Sequence, residues 1–116
     1  FGLLWESYSE DRVLRLLAQG RPVYLDFTAE WCITCQVNER VVFGSERVRE
    51  LLSAKNVTLV RADWTSKNPA ITKALQSYGR NGVPLNVILR GPTNPPIILP
   101  NILTPGIVSD ALVKLP

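Results

Sequence analysis

The chain has 116 residues, room for one domain and not two. Hydrophobic residues make up 46% and charged residues 20%, enough to bury an ordinary core without metal or disulfide staples. The net charge of +3 is spread over 13 basic and 10 acidic side chains with no run of Lys or Arg, which argues against nucleic-acid binding, and no apolar run reaches the ~20 residues that span a bilayer.

In chain order, Ser7-x-x-Glu10 has the form of a capping box ahead of Val13, Leu16 and Leu17, and Gly20 stops that helix. "RPVYLDFT", apolar, β-branched and bounded by Pro22, predicts a buried strand. From about Cys32 to Phe43 no Gly or Pro interrupts a helical stretch, and Ser45 caps a second piece carrying Val48, Leu51 and Leu52. "NVTLVRADWT" predicts a second strand. Asn68-Pro69 joins an N-cap to Pro at the first helical position, Gly79 marks the stop, and Ile71, Leu75 and Tyr78 form one apolar face. "VPLNVILR" predicts a third strand, and "GPTNPP" turns it into "IILP" as an antiparallel hairpin. Thr104-Pro105 opens a last helix with Ile107, Val108, Ala111, Leu112 and Leu115 facing inward.

Strands alternating with helices imply parallel βαβ units, and the closing hairpin adds an antiparallel edge. The expectation is one α/β domain over residues 1–116, with a central mixed four-stranded sheet flanked by helices. A start at Phe1 and an end at Pro116 directly after a helix read as a domain cut from something longer.

The chemistry centres on "DFTAEWCITCQVNE", which holds the only two cysteines, Cys32 and Cys35. A closed zinc site needs four ligands, and with no His in the chain two of them would have to be carboxylates. A structural staple closing so short a loop removes little unfolded-state entropy. A redox dithiol fits the placement between strand and helix better, because unpaired N–H groups and the dipole at a helix N-terminus favour a thiolate. Cys32, expected to be exposed at the junction, attacks a partner disulfide; Cys35, one turn in, resolves the mixed disulfide. Trp31 is expected beside the nucleophile as an exposed contact residue, with Trp5 and Trp64 as packing residues and Leu85 and Ile88 in the core.

Two acids refine this picture. Asp26 sits mid-strand in "VYLDFT", where burial is costly unless the acid is paired or useful; the alternative is an exposed edge position. Glu39 is four residues after Cys35 and shares its helix face, unless it is simply solvated. Near the dithiol both would disfavour thiolates, and either could accept the Cys35 proton. Ile33-Thr34, between the cysteines, adds no positive charge. A dithiol without a strongly stabilised thiolate is a reductant.

With "ADWT", "NPAI", "GRNGVPL" and "LPNILTP" added, the sequence from about Trp5 onward resembles the thioredoxin superfamily. More narrowly it resembles the C-terminal, periplasm-facing domain of the DsbD/ScsB-type thiol:disulfide interchange family. The resemblance implies a thioredoxin fold with an extra N-terminal helix, excised from a larger inner-membrane protein. It implies Cys32 as nucleophile, Cys35 as resolving thiol, and Asp26 and Glu39 as tuning acids. Val83-Pro84 matches the superfamily's cis-proline segment, which with Trp31, Ile33 and Thr34 would meet a substrate strand. The implied donor is a membrane-embedded thiol domain, and the implied acceptor is a periplasmic disulfide protein or domain. No cofactor beyond the dithiol, no metal and a monomeric isolated domain are expected.

Two rivals share these features. One is a free thioredoxin reduced by an NADPH-dependent reductase. The other is a non-catalytic module that docks partners or binds copper or haem; two thiolates suit Cu(I).

Overall fold

The structure is a computed structural model that describes residues 3–116; Phe1 and Gly2 lie outside the described residues. Its elements are β1 (Trp5–Ser7), α1 (Glu10–Ala18), β2 (Val23–Thr28), α2 (Ile33–Phe43), α3 (Glu46–Ala54), β3 (Thr58–Asp63), α4 (Pro69–Ser77), β4 (Leu85–Leu89), β5 (Ile97–Ile98) and α5 (Pro105–Leu112). Among the described residues they build one mixed five-stranded sheet in the order β1-β3-β2-β4-β5.

Two features differ from the sequence expectation. The sheet has a fifth strand, β1, which pairs parallel to β3 through Trp5↔Leu59 and Ser7↔Arg61. Three residues are too few for an alternating pattern to register, so the segment reads as a leader to α1. Consequently Ser7 ends a strand, and the cap of α1 is Ser9, whose Oγ accepts from the Arg12 N–H at 3.0 Å. The other difference is β4, which runs antiparallel to the central strand β2. α4 has nine residues and spans about 14 Å, shorter than the roughly 20 Å of the six-residue β3 it follows. The chain re-enters the sheet at the end where β3 left it.

The remaining signals act as expected. Ser45, Asn68 and Thr104 cap α3, α4 and α5 through side-chain oxygens. Gly20 and Gly79 follow α1 and α4 at φ 77° and 74°, where a side chain would be strained.

β2 is buried along all six residues because helices cover both sheet faces. Val23, Leu25 and Phe27 point to the face packed by Leu16 of α1 and Leu75 of α4. Tyr24, with Leu59 and Ile88 beside it, points to the face packed by α2, α3 and α5. Leu85 and Ile88 are core, as expected. By the same alternation Asp26 faces α2, the helix that begins after Cys32. Because β4 enters antiparallel, the ends of β2 and β3 and the start of β4 share one edge of the sheet, and the candidate site lies there.

Candidate active site at the start of helix α2

Cys32 is the N-cap of α2, in extended backbone (φ −92°, ψ 101°). Its sulfur accepts from the Cys35 N–H at 3.1 Å, one of the donors that a helix N-terminus leaves without an intrahelical partner. Cys32 and Cys35 are joined as a disulfide with Cα atoms 5.2 Å apart, inside the ordinary range for such a bond. The same N–H that holds the sulfur in the oxidised form would stabilise a Cys32 thiolate in the reduced form.

The expected exposure of Cys32 is not observed: it is 8% exposed and Cys35 is 4%. Ala29, after β2, forms one buried cluster with the two cysteines, and Val83, before β4, packs against that cluster. The Val83–Pro84 peptide bond is cis. Residues some fifty positions apart in sequence thus meet at the dithiol because β4 starts where β2 stops.

The rim is apolar and open. Ile33 is 80% exposed, Trp31 is 53% exposed, and Thr34 is half-buried. Trp31 is nonetheless anchored, since its Nε1–H donates to the Thr65 carbonyl at 3.0 Å. Its ring lies 5.9 Å from that of Trp64, and the Lys67 ammonium sits 6.0 Å from it. Trp64 is buried and donates to Thr72 Oγ1 at 2.8 Å, and Trp5 meets Phe43 edge-on at 5.0 Å; both are packing residues, as expected.

Asp26 is 5% exposed in a central strand, so the exposed-edge reading does not hold. Burial, and next the nearby Glu39 carboxylate, push its pKa up to about 7, while Arg61 acts in the opposite direction. Glu39 is not a free, solvated side chain either: it forms an ion pair with Arg61. Arg61 is the register partner of Asp26 on β3, on the same face, and its guanidinium lies 4.4 Å from the Trp5 ring. A polar cleft of about 210 Å³, lined by Thr28, Gln36, Glu39, Arg61 and Asp63 among others, opens over this group.

Sequence reasoning passed over Arg61, Asn38 and Asn86. Asn38 is buried in α2 and ties that helix to the segment before α5, donating to the Asn101 carbonyl at 2.7 Å and accepting from the Leu103 N–H at 3.0 Å. Asn86, opposite Asp26 on β4, accepts from the Tyr24 hydroxyl at 2.8 Å. The signal that could have found Arg61 is a lone cation in the apolar run "LVRA", mirroring the lone acid in "YLDF". A larger cavity of about 540 Å³ lies on the opposite face between α1, α4 and the 91–96 loop, and no cysteine lines it. Among the described residues, no group of three or more His, Cys, Asp or Glu side chains is placed to hold a metal ion.

Residues 4–91 match the family described as thioredoxin-like. The chain is 45% identical over 67 residues (58% of the chain) to a thiol:disulfide interchange protein DsbD from a Pseudomonas species, and covers 11% of that protein. It is 36% identical over 81 residues (70% of the chain) to DsbD of Ralstonia nicotianae, and covers 13% of it. The chain thus spans about an eighth or less of these relatives' length. Among solved structures, the oxidised C-terminal domain of Neisseria meningitidis DsbD superposes with a TM-score of 0.68 at 22% identity, over 91% of this chain and 89% of that one. A thioredoxin from Thermus thermophilus superposes with a TM-score of 0.74 at 23% identity, over 98% and 87%. The likeness to these structures is one of fold.

Proposed function

The chain belongs to the thioredoxin-like family, and from that premise we propose that it is a thiol–disulfide oxidoreductase working in the reductase direction. The observation that carries the reading is the Cys32–Cys35 disulfide at the start of α2, covered by Val83 and backed by the sheet face that holds Asp26.

In the proposed cycle the Cys32 thiolate attacks one sulfur of a partner disulfide and expels the other as a thiolate. The Cys35 thiolate then attacks Cys32, releasing the second partner sulfur and closing the Cys32–Cys35 disulfide. Two electrons pass to the partner, and the proton that Cys35 gives up goes to a nearby base. Asp26 is assigned that role: a carboxyl with a pKa of about 7 can both accept and return a proton at neutral pH. Trp31, Ile33 and Thr34 on the rim, together with Val83 and Pro84, are assigned to contact the partner strand. Glu39 is assigned to tune the pair.

The DsbD relatives support the rest of the reading, in which a membrane-embedded thiol domain of the parent protein reduces this domain. The domain then passes electrons to a periplasmic disulfide protein or domain. Among the described residues no helix is long and apolar enough to cross a membrane.

Reduction of insulin disulfides, with dithiothreitol as electron source, tests the activity. The unsubstituted domain, the parent of each variant, should accelerate it, and Cys32→Ala should not. No acceleration by the parent would favour the docking or copper-binding module. Efficient reduction by NADPH and thioredoxin reductase would favour a free thioredoxin.

A further inference from the structure

The Asp26 carboxyl is faced by Glu39 from α2 and by Arg61 from β3, with the Tyr24 phenol on its own strand and the neutral Asn86 on β4. Among these groups Glu39 is bonded to Arg61, and Tyr24 to Asn86. Arg61 is held from the other side as well, by the Trp5 ring at 4.4 Å. Its Nε is buried and has no hydrogen-bond partner among the described residues. The side chain therefore depends on the Glu39 contact and the indole face for its place. Trp5 belongs to β1, a three-residue strand at the sheet edge, and also packs on Phe43 at the far end of α2. Contacts run from the edge strand through Trp5 and Arg61 to Glu39, and the Glu39 charge in turn acts on the buried Asp26 carboxyl.

We propose that Arg61 is a positioning residue for the proton transfer at the dithiol: clamped between Trp5 and Glu39, it pins the Glu39 carboxylate against Asp26 and makes the seating of β1 a determinant of the site's pH response. Its role is not that of a counter-ion to Asp26. A guanidinium acting only through its own charge favours the ionised Asp26, so its loss would raise the Asp26 midpoint. A guanidinium that holds Glu39 in place has the opposite effect when removed. Glu39 then swings to the open cleft, and its influence on Asp26, which exceeds that of Arg61, goes with it. The inference rests on the proposed redox role for its consequence, but not for its geometry.

The test is the Asp26 titration midpoint in the oxidised protein, read by carbon NMR of aspartate carboxyls, with the pH profile of insulin reduction measured beside it. Arg61→Met should lower the midpoint by roughly 0.5–1 unit, and the profile should move to lower pH with it. Arg61→Lys, which keeps an ion pair, should stay near the parent. In a Glu39→Gln background, Arg61→Met should instead raise the midpoint, because only its charge is then lost. Trp5→Leu should lower it by less than Arg61→Met does, and it serves as the test if Arg61→Met fails to fold. A raised or unmoved midpoint in Arg61→Met alone, or an unmoved one in Trp5→Leu, overturns the proposal. The midpoints need no partner protein. An inactive parent that shows these shifts would therefore refute the redox reading and leave the clamp standing.

Discussion

Asp26 and Arg61 are register partners on adjacent parallel strands and lie on the same face of the sheet, yet the ion pair that Arg61 makes is with Glu39. An acid and a base placed side by side in a core ordinarily neutralise each other. Here the base is engaged by another carboxylate, and the acid keeps a pKa of about 7. That combination converts a costly buried group into one that can exchange a proton at neutral pH, which is what the role proposed for Asp26 toward Cys35 needs.

The raised carboxyl has a consequence for stability. Its folded pKa lies near 7 and its ordinary value is 3.8, so between those limits the folded protein holds a proton that the unfolded chain has released. Stability from this group is therefore full below about pH 3.8, falls as pH rises to about 7, and is constant above. The difference amounts to about 4 kcal/mol. Asp26→Asn should remove the decline. In urea denaturation of the oxidised proteins, the variant should gain on the parent between pH 5 and pH 8; an equal offset at both would show that the carboxyl is not raised.

The two cysteines should separate cleanly by substitution. With an excess of a disulfide substrate, Cys35→Ala should accumulate a mixed disulfide through Cys32, visible on a non-reducing gel, because the resolving thiol is gone. Cys32→Ala should accumulate none. Trapping through Cys35 in Cys32→Ala would reverse the assignment of roles.

The dithiol and most of the fold were legible because their signals are local. Helix caps at Ser45, Asn68 and Thr104, the two glycines at positive φ, and a strand run ending just before Cys-x-x-Cys are each contained within a few residues. What escaped is long-range. The Glu39–Arg61 pair joins positions 22 apart, and Val83 reaches the cysteine cluster because β4 starts at the sheet end where β3 stops. Burial of Cys32 escaped for the same reason, since Ala29 and Val83 come from flanks of different strands. β1 escaped because three residues have no measurable period, and its presence puts Ser7 in a strand and leaves Ser9 as the α1 cap.

Asn38 offers a structural prediction independent of redox chemistry. Its amide supplies both a donor and an acceptor to the segment before α5, and it is 4% exposed. Asn38→Ala leaves a buried Leu103 N–H without a partner, which costs about 2–3 kcal/mol. Denaturant unfolding should show that loss; a change under about 0.5 kcal/mol would mean that the segment repairs the contacts itself.

The direction in which the dithiol passes electrons is set by its reduction potential. Ile33 and Thr34 place no positive charge between the cysteines, and two carboxyls, Asp26 and Glu39, lie on the side of α2 that faces the sheet. Both features withhold the stabilisation that makes a dithiol a strong oxidant. Equilibration of the protein against glutathione buffers should give a value nearer the roughly −270 mV of a reducing dithiol than the roughly −120 mV of a strong oxidant. A potential above about −180 mV would place the dithiol on the oxidising side and rule out the reductase direction.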